Sequence, residues 1–418
     1  MSIEVHIHAR GGDHLVGHIY PRHGRGRETT TFHYDEGWLS FPEGFALEPA
    51  LPMTLGASTP PGPAVLFGCF ADSAPDRWGR ALIRRGERNR AEADGVAPRT
   101  LGEVATLLGV RDDLRQGALR FRMPGGGPFL APADRGVPAL VDLPGLLAAT
   151  NRLESDVATD GDLALLLSAG SSLGGARPKA HVLTRAGHLA IAKFPSRMAD
   201  EWDVIAWEWV AHEVARRAGI TVPAARLEMV AGRHVLVVER FDRAGPARIG
   251  YVSAMTMLEA RDGDERSYLE IAETIELLSP DPAADLEQLW RRVALSVLIR
   301  NTDDHLRNHG FLHAGGHRWA LSPAFDINPD PIAGENAHLS TAIDLDDRSA
   351  RIDRVMAVHP FFRLTEESAL RILSEVVVAV MQWRDVARRV PIAEAGITLM
   401  EAAFANAQVT EAAVLVRR

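Results

Sequence analysis

The amino-acid sequence predicts an α+β protein with two lobes and an additional N-terminal subdomain of mixed α/β structure. Three patterns in the 418 residues support this prediction. Residues near the N-terminus alternate as strands do, a glycine-rich run precedes two short apolar segments, and helical spacing dominates beyond residue 250. We therefore expect the N-terminal subdomain at residues 1–125, a small lobe at residues 130–245 and an all-helical C-terminal lobe at residues 246–418.

The first 120 residues carry the strand pattern. Residues 5–8 and 14–20 alternate between apolar and polar side chains, which is typical of strands with one buried face. Residues 76–83 instead have the spacing of a helix. Three glycines between two prolines at residues 124–128 mark a turn or a subdomain boundary.

The small lobe is predicted to contain a sheet and one helix. Residues 180–183 and 189–194 read as strands, and residues 235–242 read as a buried strand that runs into a polar hinge. A helix is expected at residues 204–217, because Gly219 follows as a C-terminal stop.

Two long helices are predicted in the C-terminal lobe. Apolar residues recur at helical spacing after Asp285, which we expect to cap a helix that leads to Asn301. A second helix is expected at residues 365–383, since a threonine and two acidic residues suit its start.

Composition favours a soluble cytoplasmic protein. The sequence contains no apolar run of the roughly 18 to 20 residues that a membrane helix needs, and its N-terminus does not have the pattern of a signal peptide. The single cysteine, Cys69, excludes an internal disulfide and suggests a reducing compartment. A formal charge of −9 gives no overall attraction to nucleic acid or to anionic membranes.

Lys179 and Lys193 are the two lysines among 46 basic residues, and the others are arginines. A lysine ammonium is a compact, rotatable point charge, whereas the guanidinium is a planar fork. Lys179 closes a glycine-rich run and Lys193 lies in an apolar strand, which indicates a phosphate-binding site. Mutational bias toward arginine is the alternative explanation.

The polar segment after the first long helix resembles the catalytic loop of protein kinases. Asp303 is followed five residues later by Asn308, the spacing at which such loops place a catalytic acid and a magnesium-binding amide. Asp326 is a second candidate Mg²⁺ ligand. The chain order of glycine loop, lysine strand, hinge, catalytic loop and metal aspartate predicts a bilobal, protein-kinase-like fold.

Alternative interpretations of these residues remain open. Aspartate and asparagine commonly satisfy backbone groups in turns, and the glycine run does not have the full pattern of a P-loop. A zinc site is a further alternative, because histidines recur every four residues. Glycines in this segment favour a β-hairpin at residues 310–321 and histidines with structural or solvent-exposed roles. The histidines concerned are His305, His309, His313 and His317.

Four short runs together are more specific than a generic kinase pattern. They are residues 172–179 (SLGGARPK), 237–243 (VVERFDR), 302–308 (TDDHLRN) and 322–326 (SPAFD). They resemble the HipA-like serine/threonine kinases of bacterial toxin–antitoxin systems, and residues 70–79 resemble the N-terminal subdomain of that family.

The resemblance implies a set of functional residues and cofactors. Asp303 would be the catalytic acid/base, Asn308 and Asp326 would bind Mg²⁺, and Lys193 would contact the phosphates of ATP with Glu208 as its candidate partner. The nucleotide would also contact the glycine-rich loop and the hinge. The residues concerned are Gly174, Gly175, Ala176, Arg177, Lys179, Glu239 and Phe241.

The family also implies regulation and partners. Autophosphorylation of the loop serine, which matches Ser172, would eject the loop and switch the kinase off, although Ser171 is adjacent. A phosphate beside those of ATP is electrostatically costly, which gives the switch a physical basis. The expected partners are a protein substrate, with an aminoacyl-tRNA synthetase as the family precedent, and a HipB-like DNA-binding antitoxin. The chain itself is not expected to bind nucleic acid or membranes.

Two other functions fit the same motifs. A small-molecule kinase that phosphorylates an antibiotic or a sugar would use the same catalytic residues with a different acceptor. A non-catalytic nucleotide-binding interaction module is the third reading. Loss of the biological effect in Asp303→Ala or Asp326→Ala would argue against the module.

Overall fold

The computed structural model describes residues 2–9, 11–24, 26–131, 136–170, 175, 177–334 and 336–417. The chain divides into two compact units. The first unit contains Met1–Ala199, Glu228–Val252 and Gly315–His317, and the second contains Asp200–Leu227, Ser253–Ala314 and Arg318–Arg418.

The described strands belong to several small sheets. They are β1 (Ile3–Ala9), β2 (Gly12–Gly24), β3 (Arg27–Tyr34), β4 (Leu119–Arg122), β5 (Lys179–Leu183), β6 (Leu189–Lys193), β7 (Ala225–Val230), β8 (Arg233–Glu239), β9 (Arg243–Ala244), β10 (Ala247–Arg248), β11 (Tyr251–Ser253), β12 (Gly310–His313) and β13 (Trp319–Leu321).

Eight of the fifteen described α-helices lie beyond residue 250. The fifteen are α1 (Glu36–Leu39), α2 (Gly68–Asp72), α3 (Arg77–Ala93), α4 (Glu103–Leu108), α5 (Leu143–Glu154), α6 (Asp160–Ser168), α7 (Val204–Arg217), α8 (Ala254–Met257), α9 (Tyr268–Leu278), α10 (Pro282–Leu298), α11 (Ile352–Ala357), α12 (Glu366–Met381), α13 (Trp383–Ala387), α14 (Glu394–Phe404) and α15 (Ala407–Leu415). None of those in the described ranges is long and apolar enough to cross a membrane.

The N-terminal sheet has the order β3-β2-β1-β4, with antiparallel pairs throughout. Its core includes three phenylalanine side chains that are almost fully buried. The Phe70 ring lies 5.5 Å from that of Phe32 and 6.0 Å from that of Phe121, measured between centroids. The strands predicted at residues 5–8 and 14–20 are confirmed within β1 and β2.

The second sheet of the first unit has the order β5-β6-β8-β7. One of its faces packs on an apolar cluster with residues of α5 and α6. Small alanines on β5 and β6 let the helices approach closely, while the valines fill the remaining space. The sheet residues in this cluster are Ala180, Val182, Ala190, Ala192, Val230, Val235 and Val237.

Helix α10 is largely buried in the second unit. It begins earlier than the sequence analysis predicted. Its N-cap is Asp281, whose carboxylate accepts from the Ala284 backbone N–H, and Pro282 opens the first turn. Asp285, the predicted cap, instead accepts from Ser279 Oγ at 2.6 Å and from the Leu321 N–H at 3.0 Å. The carboxylate therefore joins β13 to the beginning of α10.

Helix α7 belongs to the second unit and not to the predicted small lobe. Its buried Trp207 packs against Trp383 of α13 and Phe404 of α14, with ring centroids 5.9 and 6.1 Å away. This apolar contact explains why residues 200–227 group with the helices. The predicted division at residue 130 likewise falls inside one compact unit.

The helical lobe also contains the hairpin that the glycines predicted. Strands β12 and β13 pair antiparallel, with Phe311 opposite Leu321 and His313 opposite Trp319. The second unit is therefore mainly, but not entirely, helical.

Candidate active site

The two lysines lie opposite each other on neighbouring strands. In the antiparallel pairing of β5 with β6, Lys179 is the register partner of Lys193. Opposed residues of such a pair extend from the same face, with Cβ atoms about 5 Å apart. The adjacent pair, Ala180 and Ala192, belongs to the apolar cluster. Both lysines therefore extend from the other face of the sheet, at the strand end that follows the glycine-rich run.

Lys179 is engaged by the N-terminal subdomain. Its Nζ donates to Asp76 Oδ2 at 2.6 Å and to the Gly175 carbonyl at 3.2 Å. The two paired side chains are only 4% and 5% exposed. Burial raises the pKa of the Asp76 carboxyl against the opposing effect of the Lys179 ammonium. Nucleotide binding by Lys179 stays a prediction, and its ammonium already has a buried carboxylate partner.

Only part of the glycine-rich loop lies in the described residues. Gly175 has a φ of +96°, in the left-handed region that favours glycine, and an added Cβ would lie 3.4 Å from Lys179 Nζ. Ser172, Gly174 and Ala176 lie outside the described residues. The nucleotide role of Arg177 stays a prediction.

The predicted hinge begins at the end of β8 and continues into a turn at residues 241–242, and its residues alternate in burial. Glu239 ends β8, and its Oε2 lies 3.1 Å from His188 Nδ1. The half-buried Phe241 ring lies 6.2 Å from the Tyr251 ring, measured between centroids. Arg240, between these residues, is buried. Glu239 and Phe241 are thus half-buried beside a buried Arg240, and adenine binding by these two residues stays a prediction.

Arg240 and Asp242 form a buried ion pair that the sequence analysis did not identify. Arg240 Nη2 lies 2.5 Å from Asp242 Oδ2, and its Nη1 donates to the Leu114 carbonyl at 2.6 Å. Asp242 Oδ2 also accepts from the Gly117 N–H at 2.7 Å. The grouping of Arg240, Asp242 and Arg243 in one short run was the available signal. This pair fastens the hinge to residues 114–117 of the N-terminal subdomain.

His181 completes this buried network as a neutral side chain. Burial and the nearby Arg240 guanidinium lower the pKa of His181 to about 3. Its Nε2 lies 3.1 Å from Arg240 Nη1, and its Nδ1 lies 3.1 Å from the Ala169 carbonyl. The neutral ring can therefore accept a hydrogen bond from the arginine and donate one to the carbonyl.

In the second unit, the predicted catalytic loop places Asp303 at the surface. Asp303 is exposed, and its backbone carbonyl accepts from Asn308 Nδ2 at 3.1 Å. Asn308 ends a short 3-10 helix, Leu306–Asn308, and is only 8% exposed. The five-residue spacing thus closes a compact loop in which the asparagine amide is fixed against the backbone of the aspartate.

The neighbouring Asp304 is buried, which separates the two adjacent carboxylates. Its Oδ2 accepts from Tyr268 Oη at 2.7 Å and from Ser296 Oγ at 3.0 Å. Its Oδ1 lies 3.1 Å from His309 Nε2. Burial acts to raise the pKa of Asp304, but the nearby His309 and the hydrogen-bond donors hold it below its usual value. Asp304 therefore fixes the loop from inside, whereas Asp303 is exposed.

Asp326 lies on a segment that is tied to the catalytic loop. Its φ is +58°, which is uncommon for a residue other than glycine and costs of order 1 kcal/mol or more. Asn328 Nδ2 donates to Asp326 Oδ1 at 3.3 Å, and the Asn328 N–H donates to Asn301 Oδ1 at 3.2 Å. Asn301 and Asn328 lie just outside the runs 302–308 and 322–326, and their linking role depends on the tertiary fold.

The side-chain oxygen atoms of the catalytic loop and the Asp326 segment fit a magnesium site. Asn308 offers an amide oxygen and Asp326 a carboxylate, and Mg²⁺ is commonly held by one or two such groups together with substrate phosphates. The Asn328 Oδ1 atom is buried and without a hydrogen-bond partner, so this segment has an unused oxygen. When bound, Mg²⁺ would neutralise charge on the phosphates.

The zinc alternative finds no support in the described residues. Within those ranges, no group of three or more histidine, cysteine, aspartate or glutamate side chains is arranged to hold a metal ion. His309 is buried against Asp304, while His313 lies on β12 with its ring 5.2 Å from that of Trp319. The hairpin prevents the continuous helix that a zinc-binding face would need.

Comparison with protein families agrees with the quoted motifs. A model of the HipA-like C-terminal domain matches residues 171–384, and a model of the HipA N-terminal domain matches residues 7–97. The chain belongs to the HipA-like family. Both the catalytic loop and the Asp326 segment of this HipA-like chain lie within the first match.

Solved structures extend the agreement to the fold. HipA from the toxin–antitoxin system of Shewanella oneidensis MR-1, in complex with HipB and operator DNA, is 17% identical with a TM-score of 0.69. That similarity covers 100% of this HipA-like chain and 97% of the other chain. The predicted α+β, kinase-like fold is confirmed.

A further similarity is more limited. The Helicobacter pylori proinflammatory kinase CtkA is 15% identical, with a TM-score of 0.47 over 59% of this chain and 94% of the other. A search of curated protein sequences gives no match.

Proposed function

We propose that this HipA-like protein is an ATP- and Mg²⁺-dependent serine/threonine protein kinase. The observation that carries the proposal is the contrast within the catalytic loop, where Asp303 is exposed and Asp304 is buried in a hydrogen-bonded network. A catalytic base must reach the acceptor hydroxyl, so the surface position of Asp303 suits that role. The adjacent Asn308 and the linked Asp326 segment supply oxygens for magnesium.

The remaining roles concern the nucleotide. Lys193 is proposed to contact the phosphates, and Glu239 with Phe241 to receive the adenine ring. Lys179 and the glycine-rich loop, including Gly175 and Arg177, are proposed to line the phosphates. The register pairing of the two lysines supports this assignment, because it places both on one face of the sheet at the strand ends beside the loop.

We further propose regulation by autophosphorylation and a toxin role. Ser172 is the proposed phosphosite in the glycine-rich loop. The S. oneidensis HipA structure contains HipB and operator DNA, which supports a HipB-like DNA-binding antitoxin as the partner here. The proposed target is a protein of translation such as an aminoacyl-tRNA synthetase, and the proposed location is the cytoplasm.

One experiment tests this function. The purified protein is incubated with Mg²⁺ and γ-labelled ATP beside an Asp303→Ala variant, and the phosphate is mapped by mass spectrometry. We expect label on Ser172 that is absent from the variant. Label that persists in Asp303→Ala would refute the assigned base. Bound ATP without label would favour a small-molecule kinase or a binding module.

Ser172→Ala should abolish self-inactivation while it spares ATP binding. The loop would then have no hydroxyl at the proposed position, so no dianion could form beside the nucleotide phosphates. The test follows kinase activity over time after preincubation with ATP. Full phosphate stoichiometry on the variant would place the switch at another residue, such as Ser171.

Lys193→Arg should lose most activity, by about 100-fold, although it keeps the positive charge. The planar guanidinium cannot place its donors as the ammonium does on a strand that pairs with both β5 and β8. Steady-state phosphoryl transfer measures the effect. Arg185→Lys, the reverse exchange at an exposed position before β6, is the matched control. Near-normal turnover of Lys193→Arg would remove Lys193 from the phosphate site.

A further inference from the structure

We infer that Asp76 is a positioning residue of the nucleotide site and acts through Lys179. The inference rests on the proposed kinase function, since it concerns the same site. It extends that site to the N-terminal subdomain, from which Asp76 and the helix that follows it come.

The two oxygens of the Asp76 carboxylate have different partners. Oδ1 accepts from the Gly79 N–H at 2.7 Å and so caps α3. Oδ2 accepts from Lys179 Nζ at 2.6 Å. Because the first bond orients the carboxylate on a helix of 17 residues, the second fixes the ammonium relative to that helix.

A second contact from the same helix holds the backbone of Lys179. Trp78 Nε1 donates to the Lys179 carbonyl at 3.1 Å, and the Trp78 ring belongs to the apolar cluster that also contains Ala180 and Ala192. Residues 76–79 therefore bind both the side chain and the main chain of the residue that closes the glycine-rich run.

The ion pair of Asp76 with Lys179 also affects the charge of the proposed phosphate site. Lys179 and Lys193 are register partners, and like charges directly opposite each other across two strands repel. The Asp76 carboxylate offsets one of these charges at close range in a buried setting. Lys179 also donates to the Gly175 carbonyl, so this anchoring includes a residue of the loop.

Asp76→Asn removes the negative charge of the side chain but keeps a residue that can cap α3. Asparagine is as good an N-cap as aspartate, so α3 should keep its cap while the ion pair is lost. We expect the dissociation constant for a fluorescent ATP analogue with Mg²⁺, and the KM for ATP, to rise about tenfold. Asp281→Asn, which changes the N-cap of α10 in the second unit, is the matched control and should change neither constant.

A purely structural role would give a different result. It would lower the melting temperature of Asp76→Asn and leave the ATP constants unchanged, and that outcome would overturn the inference. The double variant Asp76→Asn/Lys179→Met should bind the analogue no more weakly than Lys179→Met alone. Additive losses would mean that Asp76 does not act through Lys179.

Hydrogen exchange separates this inference from the proposed function. The backbone amides of residues 179–183 should exchange faster in Asp76→Asn without any nucleotide, whereas unchanged exchange would refute the anchoring. If the unmodified protein does not bind the ATP analogue while the variant exchanges faster, the kinase proposal fails and the Asp76–Lys179 anchor stands.

Discussion

Asp303→Ala should abolish phosphoryl transfer without unfolding the protein. The exposed side chain is the proposed base, and a positioned acid/base group typically contributes about 10²- to 10⁴-fold to the rate. The hydrogen bond that shapes the loop runs from Asn308 to the backbone carbonyl of Asp303, which alanine retains. We expect a rate loss of about 10³-fold in γ-labelled ATP assays, with the affinity for an ATP analogue unchanged.

Asp346→Ala is a matched control for this loss. Asp346 is another exposed aspartate of the second unit, and its removal should leave the rate unchanged. Equal activity of Asp303→Ala and Asp346→Ala would move the catalytic base to another residue. A lower melting temperature of Asp303→Ala would instead indicate that the aspartate supports the loop.

Asp304→Ala should mainly lower the stability of the protein, whereas Asp303→Ala should mainly lower the rate. The variant leaves Tyr268 Oη and Ser296 Oγ without their shared acceptor inside the core. Removal of one partner from such a buried network costs about 3 kcal/mol of unfolding free energy. Denaturant unfolding of the two single variants, Asp303→Ala and Asp304→Ala, measures the contrast. Similar stabilities would contradict the buried role of Asp304.

The stability that Asp304 contributes should depend on pH in a defined direction. Its pKa is held below the usual value in the folded state, so folding favours the ionised carboxyl. The contribution is therefore fully present above the unfolded pKa of about 4 and disappears as the pH falls through the lower, folded value. The difference in unfolding free energy between the unmodified protein and Asp304→Asn should shrink only in that acidic range. A difference that shrinks near neutral pH would exclude this explanation.

Local sequence patterns predicted much of the secondary structure. Alternation located β1 and β2, helical spacing located α3, and the Thr365 cap located α12, because each signal depends on near neighbours. The start of α10 was wrong, although Pro282 after Asp281 is itself a start signal. The compact unit that contains α7 could not be read from local patterns, since its partner Trp383 lies far along the chain from Trp207.

The part of the candidate site that lies within one loop could be predicted from the sequence. The five-residue spacing of Asp303 and Asn308 is local, and the structure places both in one compact loop. The choice between Asp303 and Asp304 was not decided by chemistry in the sequence, because burial of Asp304 comes from Tyr268 and Ser296 on other helices. The contact of Asp76 with Lys179 joins residues 103 positions apart, and no local pattern reveals it.

The alternating hinge sets a limit on how its length can change. Residues 240 and 242 turn toward the N-terminal subdomain, while residues 239 and 241 have other surroundings. Insertion or deletion of one residue would shift this alternation of half-buried and buried residues by one position. Arginine and aspartate would then replace the proposed adenine contacts, and a phenylalanine would enter the ion-pair network. Relatives with this network should therefore differ at the hinge by substitution and keep its length.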